Sequence, residues 1–245
     1  ALTIGSATNT GTVVFSGANT YTGTTTISGG TLNFAAAGAL PSTSAVVNNA
    51  TLNFNNSSVN TAAGITGTGA TVISSGSTLK LTQTLGTTGL VTVSSGGVLD
   101  LNGQSSSSNL LISGTGTGAG ALINSSATDG TQSGNLTLNG NTTIGGTGNI
   151  TISSVISGAF GLTKSGANTL TLSSANTYTA GTTISAGTLS ISASNNIPSA
   201  NITINGGTLL GAATATITNA ISVGAGGGTI AATSGQTLTV GSVVS

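Results

Sequence analysis

Residues 161–189 read GLTKSGANTLTLSSANTYTAGTTISAGTL, and apolar and polar residues alternate through much of this stretch. A period of two is typical of a β-strand with one buried face, because successive side chains point to opposite sides. Residues 12–32 repeat the second part of this phrase, with 14 of 21 positions identical at an offset of 157. A chain that repeats a strand-forming phrase is predicted to be built from stacked copies of one unit.

A shorter unit recurs throughout the chain: a small or polar residue, an aliphatic residue, any residue, and another apolar residue. Many copies follow one another after 19–23 residues, and Gly and Asn, which favour turns, separate them. The copies include Thr31–Phe34, Thr51–Phe54, Thr78–Leu81, Val98–Leu101, Asn135–Leu138, Thr169–Leu172 and Thr188–Ile191.

An all-strand repeat of this length indicates a solenoid. Because connections between parallel strands are right-handed, we expect a right-handed parallel β-helix of about 11–12 rungs, with roughly 20 residues per rung. Residues 1–245 are predicted to form one domain, with repeat copies centred on 12–54 and 161–211. Leu, Ile, Val and the four Phe residues are expected to point inward.

Only four residues carry a charge, namely Lys80, Asp100, Asp129 and Lys164, and the net charge is zero. The chain has no basic patch for nucleic acid or a membrane surface, and no apolar run of the roughly 18 residues that a membrane helix needs. It also lacks His and Cys, which excludes Ser/His and Cys/His nucleophiles. We therefore expect no enzyme activity, no cofactor and no metal, with Asp100 a solvated strand residue and Asp129 a turn residue.

The register of the repeat predicts two pairs of stacked side chains. Lys80 and Asp100 occupy the same position in consecutive units, so they should lie side by side on the outer face of neighbouring rungs. Asn33 and Asn53 share that position in an earlier pair of units and should form an Asn ladder.

The motifs of 161–189 resemble the autotransporter-associated β-strand repeat of Gram-negative passenger regions. The resemblance rests on LTKSG, an alternating strand, ANTYT, and then TTI and GTL, and 12–32 is a second copy. It implies a β-helix, export and a cell-surface location. It implies no single activity, because passengers include adhesins, proteases and stalks.

The ends of the sequence also carry the repeat. The chain begins ALTIGSATNT, without the basic region of a signal peptide, and is predicted to be a mature product or a piece of a longer chain. Residues 240–245 resemble 152–157, so a second copy placed head to tail would continue the pattern. The partner is thus expected to be the chain itself or further repeats, through a candidate interface of Leu2, Ile4, Val240, Val243 and Val244.

The leading functional hypothesis is a non-enzymatic structural fibre or stalk subunit outside the cell. An adhesin that binds glycans or surfaces is the alternative, and Tyr21 and Tyr178 either bind a glycan or pack at a corner with a wet hydroxyl group. Ice binding is a further alternative, based on Thr-x-Thr arrays at Thr20, Thr22, Thr24, Thr26, Thr177 and Thr179.

Overall fold

The chain forms a β-solenoid of parallel strands, described here from a computed structural model. The structure describes residues 1–244, without the side chains of 242–244. One sheet has 12 strands and gives one strand to each turn, and a second sheet has 17 strands. Every pairing between these strands is parallel; Ile65, for example, pairs with Val46 on one side and with Leu85 on the other, an advance of about 20 residues per rung. The predicted fold class and rung number are confirmed, and the right-handed sense stays a prediction.

The rungs have three faces. Face 1 is the 12-stranded sheet, with strands Leu2–Ile4, Thr25–Ile27, Val46–Asn48, Ile65–Gly67, Leu85–Thr87, Ser105–Ser106, Gly130–Gln132, Ile150–Ile152, Thr169–Leu172, Thr188–Ile191, Thr208–Gly211 and Thr229–Ala232.

Faces 2 and 3 together make up the 17-stranded sheet. Face 2 contains the strands Thr12–Phe15, Thr31–Phe34, Thr51–Phe54, Ala70–Ile73, Val91–Val93, Leu110–Gly114 and Ile156–Gly158. Face 3 contains the strands Val59–Ala62, Thr78–Leu81, Val98–Asp100, Leu122–Asn124, Leu162–Lys164, Thr182–Ile184 and Ile202–Ile204. Three longer strands bend around the corner between the two faces: Leu136–Gly146, Ala215–Val223 and Leu238–Val244. A short 3-10 helix, Ser194–Asn196, lies at one corner.

The core consists of rows of like side chains, since parallel pairing places equivalent residues of successive rungs on top of one another. Phe15, Phe34 and Phe54 are register partners on face 2. Their ring centroids lie 5.7 and 5.5 Å apart, the first pair edge to face and the second stacked. Phe34 and Phe54 are fully buried. The expectation that all four Phe residues point inward is wrong for Phe160, which is 40% exposed because it lies in a connection outside the strands.

We predict that Phe34→Ala destabilises the solenoid by about 3–5 kcal/mol, since it removes the middle ring of the row and leaves a cavity. Phe160→Ala is the matched control and should change the free energy of unfolding by less than about 0.5 kcal/mol. Urea unfolding followed by circular dichroism measures both values. Equal effects of the two substitutions would contradict this assignment of the core.

Candidate functional site

Each copy of the repeated phrase forms a corner of the solenoid, and the two corners have the same hydrogen bonds to the next rung. The backbone N–H of Asn19 donates to the carbonyl of Gly38 at 3.0 Å, and its side-chain amide donates to that of Ala39 at 2.9 Å. At the offset of 157, Asn176 makes the corresponding bonds to the carbonyls of Asn195 at 3.0 Å and Asn196 at 2.6 Å. The Asn of ANTYT therefore ties its own rung to the next rung in both copies.

Asn176 also reaches the preceding rung. Its Oδ1 accepts a hydrogen bond from the backbone N–H of Ile156 at 2.7 Å, so this one buried amide links three successive rungs. A buried amide with bonded donors and acceptors avoids the desolvation penalty of an unpaired polar group.

The Tyr of the motif is a corner residue in both copies. Tyr178 is fully buried, and its hydroxyl lies 2.6 Å from Thr182 Oγ1. Tyr21 is half-buried and lies 2.8 Å from Thr25 Oγ1. Burial raises the pKa of Tyr178 to about 12, and the bond to Thr182 opposes this shift. The expected wet hydroxyl is wrong for Tyr178: the residue is fully buried, so its ring is not available to stack on a sugar.

Each corner borders a surface groove. The larger groove has a volume of about 520 Å³, and the smaller one about 280 Å³. Six positions line both grooves at the offset of 157, four of them with the same residue: Asn19 and Asn176, Gly38 and Asn195, Leu40 and Ile197, Pro41 and Pro198, Ser42 and Ser199, and Thr61 and Thr218. The duplicated sequence thus produces a duplicated concave surface.

Lys164 is a buried charged side chain whose position the sequence analysis did not predict. It occupies an inward position of face 3, between Ile144 and Ile184, and is fully buried. Its ammonium donates to the backbone carbonyls of Ser165 at 2.6 Å, Gly166 at 2.9 Å and Ala186 at 3.1 Å. Desolvation by burial lowers its pKa from 10.5 to about 8. Lys164 follows Leu162 by two positions in the sequence, and side chains two positions apart on a strand point to the same face. This spacing was the signal that could have predicted an inward Lys164.

Lys80 and Asp100 are register partners on face 3, with Nζ and Oδ2 3.9 Å apart. The expectation that Asp100 is solvated is wrong, because its side chain is only 5% exposed. Residues of its own turn and of the following rung bond to it: Oδ1 accepts the backbone N–H groups of Asn102 and Ser125 at 3.0 Å, and Oδ2 accepts the Ser125 hydroxyl at 2.6 Å. Since Lys80 is partly exposed, we assign the ion pair only about 0–1 kcal/mol.

Asn33 and Asn53 are register partners on face 2. The expected ladder is wrong in one respect: within residues 1–244, neither Oδ1 atom has a hydrogen-bond partner, although both are buried. The pair is flanked in register by Val14 and Val72, which offer no side-chain donor.

Asp129 lies apart, in the loop between the strands Leu122–Asn124 and Gly130–Gln132, where its Oδ1 accepts a hydrogen bond from the side-chain amide of Asn149 at 3.0 Å. No group of three or more potential metal ligands of the His, Cys, Asp and Glu types occurs in the described part of the chain.

The candidate interface residues lie in the first and last rungs. Leu2 and Ile4 belong to the first strand of face 1, which pairs with Thr25–Ile27. Val240 packs against the core, and the backbone of Val243 pairs with that of Ile221. The backbone of Val244 pairs with that of Ser222, while the side chains of Val243 and Val244 lie outside the described residues.

The threonines of the ice-binding alternative do not form one array. Thr20, Thr22 and Thr24 lie outside the strands, and Thr177 and Thr179 lie beside the larger groove. In residues 1–244 no helix is long and apolar enough to cross a membrane.

The folded state binds the Lys164 proton more weakly than the unfolded state. Between pH 8 and 10 the unfolded chain therefore holds more protons, and stability should rise with pH by up to about 1.4 kcal/mol per pH unit. Tyr178, whose pKa is raised, lowers stability only above pH 10. Lys164→Met should abolish the rise, as measured by urea unfolding at pH 7.5, 8.5 and 9.5.

Lys80→Met is the matched control for this prediction, because its side chain is 36% exposed. It should leave the rise of stability between pH 8 and 10 in place. A pH profile that Lys164→Met does not change would contradict the assignment.

Comparison with known families gives two matches. Residues 7–34 and 162–191 each match the passenger-associated-transport-repeat, and each segment includes the Asn and Tyr of ANTYT. No curated protein and no solved structure matches the chain. The chain is a parallel β-solenoid that carries two passenger-associated transport repeats, consistent with an autotransporter passenger repeat protein.

Proposed function

We propose that this chain is the structural β-solenoid of an autotransporter passenger, exported to the surface of a Gram-negative bacterium, where it serves as a stalk or fibre. The observation that carries the proposal is the position of the two matched repeats within one uninterrupted stack of 12 face 1 strands. At about 4.8 Å per rung, the stack is a rod of roughly 55–60 Å.

A structural role fits the chemistry of the rungs. Register partners are mostly aliphatic on the inside and Thr, Ser or Asn on the outside. Because these side chains carry no charge, stacked partners do not repel one another. Thr143, Thr163, Thr183 and Thr203, for example, are consecutive register partners on face 3. Such a surface favours rigidity along the axis over a reactive site.

The surface location is tested on the bacterium that produces the protein. Antibodies raised against the purified chain should label intact, unpermeabilised cells, and mild protease treatment of those cells should remove the signal. A cytoplasmic protein probed in parallel controls for lysis. Labelling that requires permeabilised cells would refute the proposal.

We further propose that the end rungs pair with other rungs, supplied by a second copy or by further repeats of the same chain. Val244 lies on face 3 and Leu2 lies on face 1, and along the chain a strand of face 3 is followed by a strand of face 1.

Within residues 1–244, the strand Leu2–Ile4 pairs along one edge, with Thr25–Ile27. The N–H of Leu2 donates to Thr24, and the carbonyl of Ile4 accepts from Ser28, so both residues face the second rung. In a parallel ladder the residue between them bonds to the opposite side, so the N–H of Thr3 faces away from the stack.

We predict that Thr3→Pro prevents end-to-end association of the purified chain, because it removes this N–H without removing a bond to the second rung. Thr3→Val is the matched control and should associate like the parent chain. Light scattering and negative-stain microscopy measure the assembly, and circular dichroism checks the fold. A parent chain that stays monomeric at every concentration would refute pairing between copies.

A further inference from the structure

We propose that the larger groove, beside Asn176 and Pro198, is a binding site for an uncharged oligosaccharide, and that the smaller groove beside Asn19 and Pro41 is a weaker copy of it. This binding role is additional to the structural role proposed above. It rests on that proposal only for the cell-surface location, where the protein would encounter the oligosaccharide.

The size and position of the larger groove suit a small ligand. Its volume of about 520 Å³ lies within the range of about 300–1,000 Å³ that is usual for ligand sites, whereas the smaller groove of about 280 Å³ lies just below it. Residues of three successive rungs line the larger groove, and Thr177, Ser199 and Thr218 each belong to a different one of these rungs. Its walls are fixed by the rung-to-rung hydrogen bonds of Asn176.

The polar groups of the groove are free to bind. Thr177, Thr179, Ser199 and Thr218 are exposed, and within the described residues their hydroxyl groups take part in no hydrogen bond between protein atoms. The exposed side-chain amide of Asn195 is equally free. Five side chains that can donate and accept therefore surround one concave surface.

The groove selects against charge. None of the four charged residues lines it, so a charged ligand would lose hydration without gaining a counter-charge. Pro198, which is half-buried, adds a rigid apolar surface beside the hydroxyl groups. A neutral sugar matches this groove, because its hydroxyl groups can bond to the polar side chains and its C–H faces can pack on the apolar surface.

The differences between the two grooves explain their ranking. Asn195 of the larger groove replaces Gly38 of the smaller one, which removes a side-chain amide from the smaller groove. The grooves lie eight rungs apart, or roughly 38 Å, and on different faces, so that one rod presents both. An avidity gain from the two sites requires a polysaccharide long enough to reach both grooves at once.

The test uses the purified 245-residue chain and four hexasaccharides: maltohexaose, cellohexaose, chitohexaose and, as the anionic control, hexagalacturonic acid. Amide chemical shifts recorded by NMR during titration report both affinity and location. We expect at least one neutral hexasaccharide to bind with a dissociation constant of about 1 mM or tighter. The shifts should centre on 176–179, 194–200 and 218.

The variant Ser199→Ala/Thr218→Val removes two free hydroxyl groups and keeps the shape of the groove. It should weaken binding about tenfold, since each lost neutral hydrogen bond contributes about 0.5–1.5 kcal/mol. Thr163→Val, which removes a hydroxyl group on face 3 away from the groove, is the matched control and should bind normally. Asn195→Gly should bring the larger groove towards the affinity of the smaller one.

Four results would overturn the proposal. They are that no neutral hexasaccharide binds at about 1 mM, that the shifts lie outside the grooves, that the double variant binds as the parent does, or that hexagalacturonic acid binds preferentially. Circular dichroism of each variant excludes unfolding as the cause. Failure here leaves surface labelling of cells unaffected, so the two proposals are tested separately.

Discussion

The structure depends on the backbone hydrogen bonds that join each rung to the next. They hold equivalent residues of successive rungs about 5 Å apart, so every residue is stacked on its counterparts along the axis. A charge repeated at one position would repel itself at this distance, whereas aliphatic side chains inside and Thr or Ser outside stack without penalty. An almost uncharged composition suits this stacking.

The exceptions to this pattern show how strongly it acts. Asp100 is stacked next to Lys80 and accepts three further hydrogen bonds from Asn102 and Ser125. Lys164 is stacked between two Ile residues and keeps its ammonium near three carbonyl groups. Burial of the ammonium lowers the pKa of Lys164, and its hydrogen bonds reach carbonyl groups of its own rung and of the next one.

The two copies of the repeat do not occupy the same faces. The strand that precedes the corner is Thr12–Phe15 on face 2 in one copy and Thr169–Leu172 on face 1 in the other. The phrase thus specifies an order of strand, corner and strand. It does not specify which of the three faces each strand occupies, because every face has the same apolar interior. This rotation places the two grooves on different sides of the rod.

The sequence by itself determined the strand content, the rung length and much of the register, because a period of two and a repeat of about 20 residues have one compact solution. It paired Lys80 with Asp100, whose Cα atoms are register partners. The sequence did not determine the solvent-exposed fraction of each outward side chain. That fraction depends on the connections between rungs, which differ in length. The burial of Asp100 and Tyr178, the exposure of Phe160 and the two grooves were decided only by the tertiary structure, in which residues about 20 positions apart close over the same corner.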